Sequence, residues 1–157
     1  MKKTLSIISC IVLVLAMAAC GGNTEYRNGH VDGTLSEIFK KIYDGAGIES
    51  PIVIETVVDN TNVTSMLGSD KVSYTEGLSS DAAIMSIPHS LVLIRVDENT
   101  DITATKKLIK DNVDPRKWIC AGVEDDQVIV DNIGDLIILI MSADAQAYHD
   151  SFKALVK

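Results

Sequence analysis

Gln127-Val128-Ile129-Val130-Asp131-Asn132-Ile133-Gly134-Asp135-Leu136-Ile137-Ile138-Leu139-Ile140-Met141-Ser142 is the stretch that decides the fold of this chain. Two runs rich in β-branched residues, 127–132 and 135–142, are interrupted only by Ile133-Gly134, which predicts two antiparallel strands joined by a tight turn. Upstream, Lys117 to Val123 reads as a further strand, set off from that pair by the acidic turn Glu124-Asp125-Asp126. Ala82 to Ile87 and Ser90 to Val96 read as two more, on either side of Pro88-His89. Such a sheet needs amphipathic helices to cover it, and three fit. Thr34 and Glu37 form a capping box before a segment whose Leu35, Ile38, Phe39, Ile42 and Ala46 share a face, and Gly47 ends it. Asp101 opens the second, with Ile102, Thr105, Leu108 and Ile109 on one side and Asp114-Pro115 at its close. The third runs from about Asp144 to Val156, with Ala145, Tyr148, Phe152 and Leu155 on one face. The expectation is therefore an α+β domain in the order α-β-β-α-β-β-β-α around a central antiparallel five-stranded sheet. Residues 51–81 give mixed signals. Ile52-Val53-Ile54 looks like a strand, Asp59-Asn60-Thr61-Asn62 is turn chemistry, and Gly68 suits the stop of a short helical turn, so most of the segment is read as loop.

The N-terminus carries a different pattern. Lys2 and Lys3 precede an apolar run from Leu5 to Ala19, the order of an export signal. As a helix that run would reach about 22 Å, short of a hydrocarbon core of about 30 Å. It ends in Ala16-Met17-Ala18-Ala19-Cys20, which resembles the lipobox of bacterial lipoproteins, with Met17 where leucine is usual. The resemblance implies a signal over 1–19, a diacylglycerol on Cys20, a flexible tether over 20–33 beginning Gly21-Gly22-Asn23, and a single domain over 34–157. The cell membrane would then hold the protein on its outer face through lipid, the two chains of a diacylglycerol giving stable attachment where one gives only marginal attachment. An ordinary secretory signal and a buried N-terminal helix are the competing readings.

Charge narrows the partners. The full chain carries −8; a chain beginning at Cys20 would lose Lys2 and Lys3 but no acid, and its net charge would be about −10. No basic cluster exceeds Lys106-Lys107 or Arg116-Lys117, so nucleic acid is not an expected partner, and an anionic lipid surface would repel the domain itself. Of three cysteines, Cys10 would leave with the signal and Cys20 would be acylated, leaving Cys120 alone. Its neighbours Trp118, Ile119, Ala121 and Val123 predict a thiol buried in the sheet. The sharper alternative makes Cys120 a nucleophile served by His89 and an acid.

His89, between two strands beside Pro88, reads as exposed polar surface at a turn, with metal ligation or base chemistry as the alternative. His30 falls in the tether and His149 on a helix face, and no pattern joins the three into a metal site. Asp97-Glu98-Asn99-Thr100-Asp101 and Glu124-Asp125-Asp126 concentrate carboxylates, but neither has the spacing or glycine of an EF-hand loop. No nucleophile elbow, phosphate-cradling loop or dinucleotide fingerprint is present, and Asn62-Val63-Thr64 matches a glycosylation acceptor only by chance. No catalytic residue and no cofactor is expected. Arg116, just before the expected strand 117–123, and Trp118 within it alternate and would share a face, forming a ligand patch of cation and ring; the competing reading buries Trp118 in the core and pairs Arg116 with an acid at the helix end.

The element order resembles the profilin-like and roadblock-like sandwiches. More locally, Asp114-Pro115-Arg116-Lys117-Trp118-Ile119-Cys120, Gly134-Asp135-Leu136 and the lipobox-like segment together resemble a family of clostridial lipoproteins catalogued as a domain of unknown function, over Leu35 to Leu155. That resemblance implies an anchored, extracytoplasmic domain of a Gram-positive bacterium and supplies no catalytic residue. Two functional classes follow: a binding or accessory module with a small-molecule or protein partner, and a hydrolase or thiol enzyme using Cys120 and His89.

Overall fold

Leu91 to Ile94 and Leu136 to Met141 are apolar at every position, so neither segment has a side to give to water and both belong inside a sheet covered on two faces. A computed structural model, which describes residues 29–156, places them there. β3 (His89–Arg95) and β5 (Leu136–Ser142) pair antiparallel at the centre, with Leu91 opposite Ile140 and Leu93 opposite Ile138. β4 (Val128–Ile133) flanks β5, β2 (Glu76–Ala82) flanks β3, and β1 (Val53–Val57) is outermost. The order is β1-β2-β3-β5-β4, and every pairing is antiparallel.

Alternation along the strands sorts the core into two layers. Leu91, Leu93, Ile138 and Ile140 face α1 (Leu35–Ala46) and α4 (Ala145–Lys153). Val92, Ile94, Ile137, Leu139 and Met141 face α2 (Val63–Leu67), α3 (Ile102–Asn112) and the segment carrying Trp118. The protein is thus α+β, with a five-stranded antiparallel sheet between helices. The capping box on α1 forms as expected: the Glu37 amide donates to Thr34 Oγ1 at 3.3 Å, and the Thr34 amide donates to Glu37 Oε2 at 2.9 Å. Hydrogen bonds from the Thr34 amide and then its hydroxyl hold the Glu37 carboxyl below its ordinary range. Gly47 ends the helix in the left-handed region, at φ 67°. On α3 the Asp101 carboxylate caps the Ala104 amide at 2.9 Å.

Strand number agrees with the sequence expectation, but two strands sit elsewhere. The run 117–123 is not a strand, and β1 takes its share of the sheet. Val123 donates to the Pro115 carbonyl at 2.9 Å and closes the segment into a loop, and a side chain at Gly122 would sit 2.9 Å from that same carbonyl. Cys120 lies at φ 57°, a left-handed turn that no strand contains. Trp118, 7% exposed, plugs the α3 layer while Ile119 is 66% exposed, and Lys117 Nζ ties the loop to the sheet at Asp81 (3.2 Å) and Ser90 (3.0 Å). Likewise the strand expected over 82–87 lies earlier, at Glu76–Ala82, and 83–87 form the link to β3. The open segment 51–81 therefore holds β1, α2 and most of β2.

The two ends of the sheet differ. Val53, Ala82, His89 and Ser142 mark one; Glu76, Arg95 and Asp135 mark the other. The described chain enters at the second. Arg95 Nη2 donates to the carbonyls of Val31 (2.7 Å) and Gly33 (3.1 Å), its Nε meets Glu76 at 2.8 Å, and His30 Nδ1 lies 3.2 Å from Asp135. Val31, within the segment read as tether, is buried among α1 and α4 side chains. The lipobox-like segment and Cys20 lie outside the described residues.

Candidate functional site

His89 opens β3 and Ser142 closes β5, and the register sets them side by side. Alternation turns both toward the layer of α1 and α4, where α1 presents Tyr43, one residue past buried Ile42, and α4 presents Tyr148. The imidazole is 2% exposed, so the expectation of a surface histidine at a turn is overturned. The cause is tertiary: Tyr43 from α1 and Tyr148 from α4 close around the ring, and Ser142 from β5 meets it. His89 Nε2 lies 3.0 Å from the Tyr43 hydroxyl, and Nδ1 lies 3.2 Å from Ser142 Oγ. Tyr43 also reaches Ser80 Oγ at 2.8 Å. Ring centroids stand 5.8 Å apart for Tyr43 and His89 and 5.2 Å for His89 and Tyr148, the latter nearly edge to face.

A hydroxyl on each ring nitrogen satisfies either neutral tautomer, since a hydroxyl donates or accepts as needed. Burial disfavours the charged form and pulls the His89 pKa down to about 4, with Asp81 and Asp144 opposing it only in part. Burial likewise pushes the Tyr43 phenol up, partly offset by its bond to Ser80. Both groups are neutral at pH 7.

In front of this cluster lies a cleft of about 360 Å³. Ile87 and Pro88 form one wall, Pro51 and Ser50 another, and the Tyr148 hydroxyl bonds Ser50 Oγ across 3.0 Å. Glu49 and Asp144 stand exposed at the rim, and among the described residues no lysine or arginine lines it. A second hollow of the same size beside α3 is lined by Asp97, Asp101 and Lys71, and its Asp101 is engaged as the helix cap.

The His89 cluster lacks the arrangement of a hydrolytic pair. A hydrolytic Ser-His pair needs a carboxylate on the far ring nitrogen to stabilise the imidazolium; here that nitrogen meets a phenol, and Ser142 Oγ already accepts the Asp144 amide at 3.3 Å. Cys120 does not join it. The thiol is exposed, against the expectation of burial, because its left-handed turn carries it out of the layer that Trp118 enters. Its loop packs on the opposite face of the sheet from His89, as the neighbouring pair His89 and Ser90 shows: His89 meets Tyr43, Ser90 meets Lys117. Nor do Arg116 and Trp118 form a patch, since they lie on a loop with Arg116 exposed and the indole buried. Among the described residues, no cluster of histidine, cysteine and carboxylate side chains fits a metal ion, and no helix is long and apolar enough to cross a membrane.

His149 pairs with Asp131 at 2.8 Å, alongside Lys153 at 3.3 Å and Lys106 at 3.7 Å. Burial raises the Asp131 carboxyl, but bonds from His149, Asn132 and Lys153 outweigh it and hold the group below its usual range. Tyr43, Ser50, Ser142 and Tyr148 carry no sequence signal as site residues; only the helical phase of α1 places Tyr43 at the border of a buried face. Compared with protein-family models, curated proteins and solved structures, the chain finds no match in any of the three.

Proposed function

We propose that this chain is a lipid-anchored extracytoplasmic binding module, attached through a diacylglycerol on Cys20, that takes a small uncharged or amine-bearing molecule in the cleft beside His89. The cleft carries the reading: the side chains of Ser50, Ser142 and Tyr148 line it, the carboxylates of Glu49 and Asp144 rim it, and among the described residues no lysine or arginine lines it to receive an anion. The anchor rests on the lipobox-like Ala16 to Cys20, and the resemblance of 114–120 and 134–136 to clostridial lipoproteins points the same way. Placement suits it. Gly29, close behind Cys20 in the chain, packs by Ile133 and Val156, at the end of the sheet remote from His89. A lipid at that end would leave the cleft facing away from the membrane.

The test is an NMR titration of the soluble portion with a panel of small amines and polyols, with inorganic phosphate as the anionic control. Shifts confined to Ser50, Asp144 and Tyr148 with amines or polyols are expected. Phosphate binding at the cleft, or no response there to any probe, contradicts the reading. Separately, Cys20→Ala should abolish fatty-acid labelling and release the protein from the membrane fraction; unchanged fractionation would remove the anchor from the proposal.

A further inference from the structure

Outside the cleft, the edge of the sheet at β1 has, among the described residues, open hydrogen-bonding groups and exposed apolar side chains. The ladder to β2 uses the even positions: Ala83 donates to the Ile52 carbonyl at 2.8 Å, and Val58 donates to the Gly77 carbonyl at 3.0 Å. Antiparallel geometry then turns the amides and carbonyls of Val53, Glu55 and Val57 outward. The Val57 carbonyl is taken by Asn62 Nδ2 at 2.8 Å, which closes that end and leaves the edge open along Val53 to Glu55. Ile52 and Ile54, on one face of this edge, are 83% and 58% exposed. An open edge with apolar side chains is a template for another strand.

Charge selects the occupant. From Ile42 to Ile94 the chain holds seven acids and one base, Lys71; Asp44, Glu76 and Asp81 are met by Lys40, Arg95 and Lys117, and the other four acids, with exposed Glu55 in the middle of β1, leave this side negative. A second copy pairing symmetrically about that centre would set Glu55 against Glu55, which disfavours self-association. The same negative field repels an anionic lipid surface. It attracts cations. We propose that β1 accepts an extended segment of a partner protein by strand addition, a segment alternating apolar side chains toward Ile52 and Ile54 with cationic ones toward Glu55. This goes beyond the cleft reading and uses a different part of the molecule, so either can fail alone.

The probe is a short synthetic peptide alternating lysine and valine, compared with its glutamate and valine counterpart. On the chain beginning at Cys20, the lysine peptide should slow hydrogen exchange at the Val53 and Glu55 amides, and the glutamate peptide should not. Glu55→Lys, an exposed change, should invert the preference by about tenfold. Val53→Pro removes an outward amide and leaves the β2 ladder intact, as Val58 protection would verify, and should abolish binding. Undiminished binding to Val53→Pro would reduce the effect to unspecific attraction and overturn the proposal. So would equal binding of both peptides, or a β1-paired homodimer of the free protein.

Discussion

The two edges of one sheet have opposite fates. At β4 the Lys110 ammonium donates to the outward carbonyl of Val128, the outward amide of Asn132 bonds Asp131 at 2.8 Å, and Asp131 gathers His149 and Lys153. At β1 the outward groups of Val53 and Glu55 meet no such side chain among the described residues, and the isoleucines beside them stand in water. The difference comes from what the chain supplies next to each strand. α3 and α4, with their lysines, flank β4, whereas α2, a single short turn without a base, is the only helix between β1 and β2. Sealing an edge takes long cationic side chains on a neighbouring helix, and the acidic half of this molecule has none.

The largest expected effect lies in the layer beneath the sheet, away from either edge's hydrogen-bonding groups. Trp118→Ala empties a buried indole site in the α3 layer and should cost about 3 to 5 kcal/mol, read as a shift of the urea midpoint. A midpoint that hardly moves would mean that the 113–123 loop is not held by its indole. Next comes His89. Its folded pKa of about 4 lies below the 6.5 of an unperturbed histidine, so the unfolded chain takes up the proton first. Its contribution is therefore full above pH 6.5 and is lost as pH falls toward 4, up to about 3 kcal/mol. His89→Gln should flatten that stretch of the stability profile; an unchanged slope would show that other groups set it. Asp131→Ala should unseal the β4 edge for about 1 to 2 kcal/mol and leave His149, Lys106 and Lys153 without their shared anion. At the open edge, Ile54→Ala should change stability by less than about 0.5 kcal/mol. A cost near that of Trp118→Ala would mean that Ile54 is covered in solution.

Legibility in the sequence followed the same divide. β3, β4, β5, α1, α3 and α4 could be read directly, because unbroken apolar runs and capped amphipathic stretches are local consequences of burial. β2 could not. Glu76-Gly77-Leu78-Ser79-Ser80-Asp81-Ala82 has one large apolar residue and is a strand because β3 offers it a ladder and because Ser79 and Ser80 find partners in the Thr56 carbonyl and the Tyr43 hydroxyl. The loop 117–123 misled in the opposite sense. Its apolar letters serve a single buried indole, and the left-handed turn at Cys120 has no signature in a non-glycine residue. The candidate site was legible only at His89, and there with the wrong exposure, since α1, β5 and α4 bring Tyr43, Ser142 and Tyr148 to it from distant parts of the chain.

Amide hydrogen exchange of the free protein probes the open edge without any partner. Alternation along β1 is expected: Ile54 and Thr56, bonded to β2, exchange slowly, while Val53 and Glu55 exchange at nearly the rate of an unstructured chain, and the amides of 117–122 show no strand-like protection. Uniform protection across Val53 to Val57 would mean that the edge is already paired. Uniformly fast exchange there, with slow exchange in 117–123, would return the fifth strand to the loop and refute the open edge altogether.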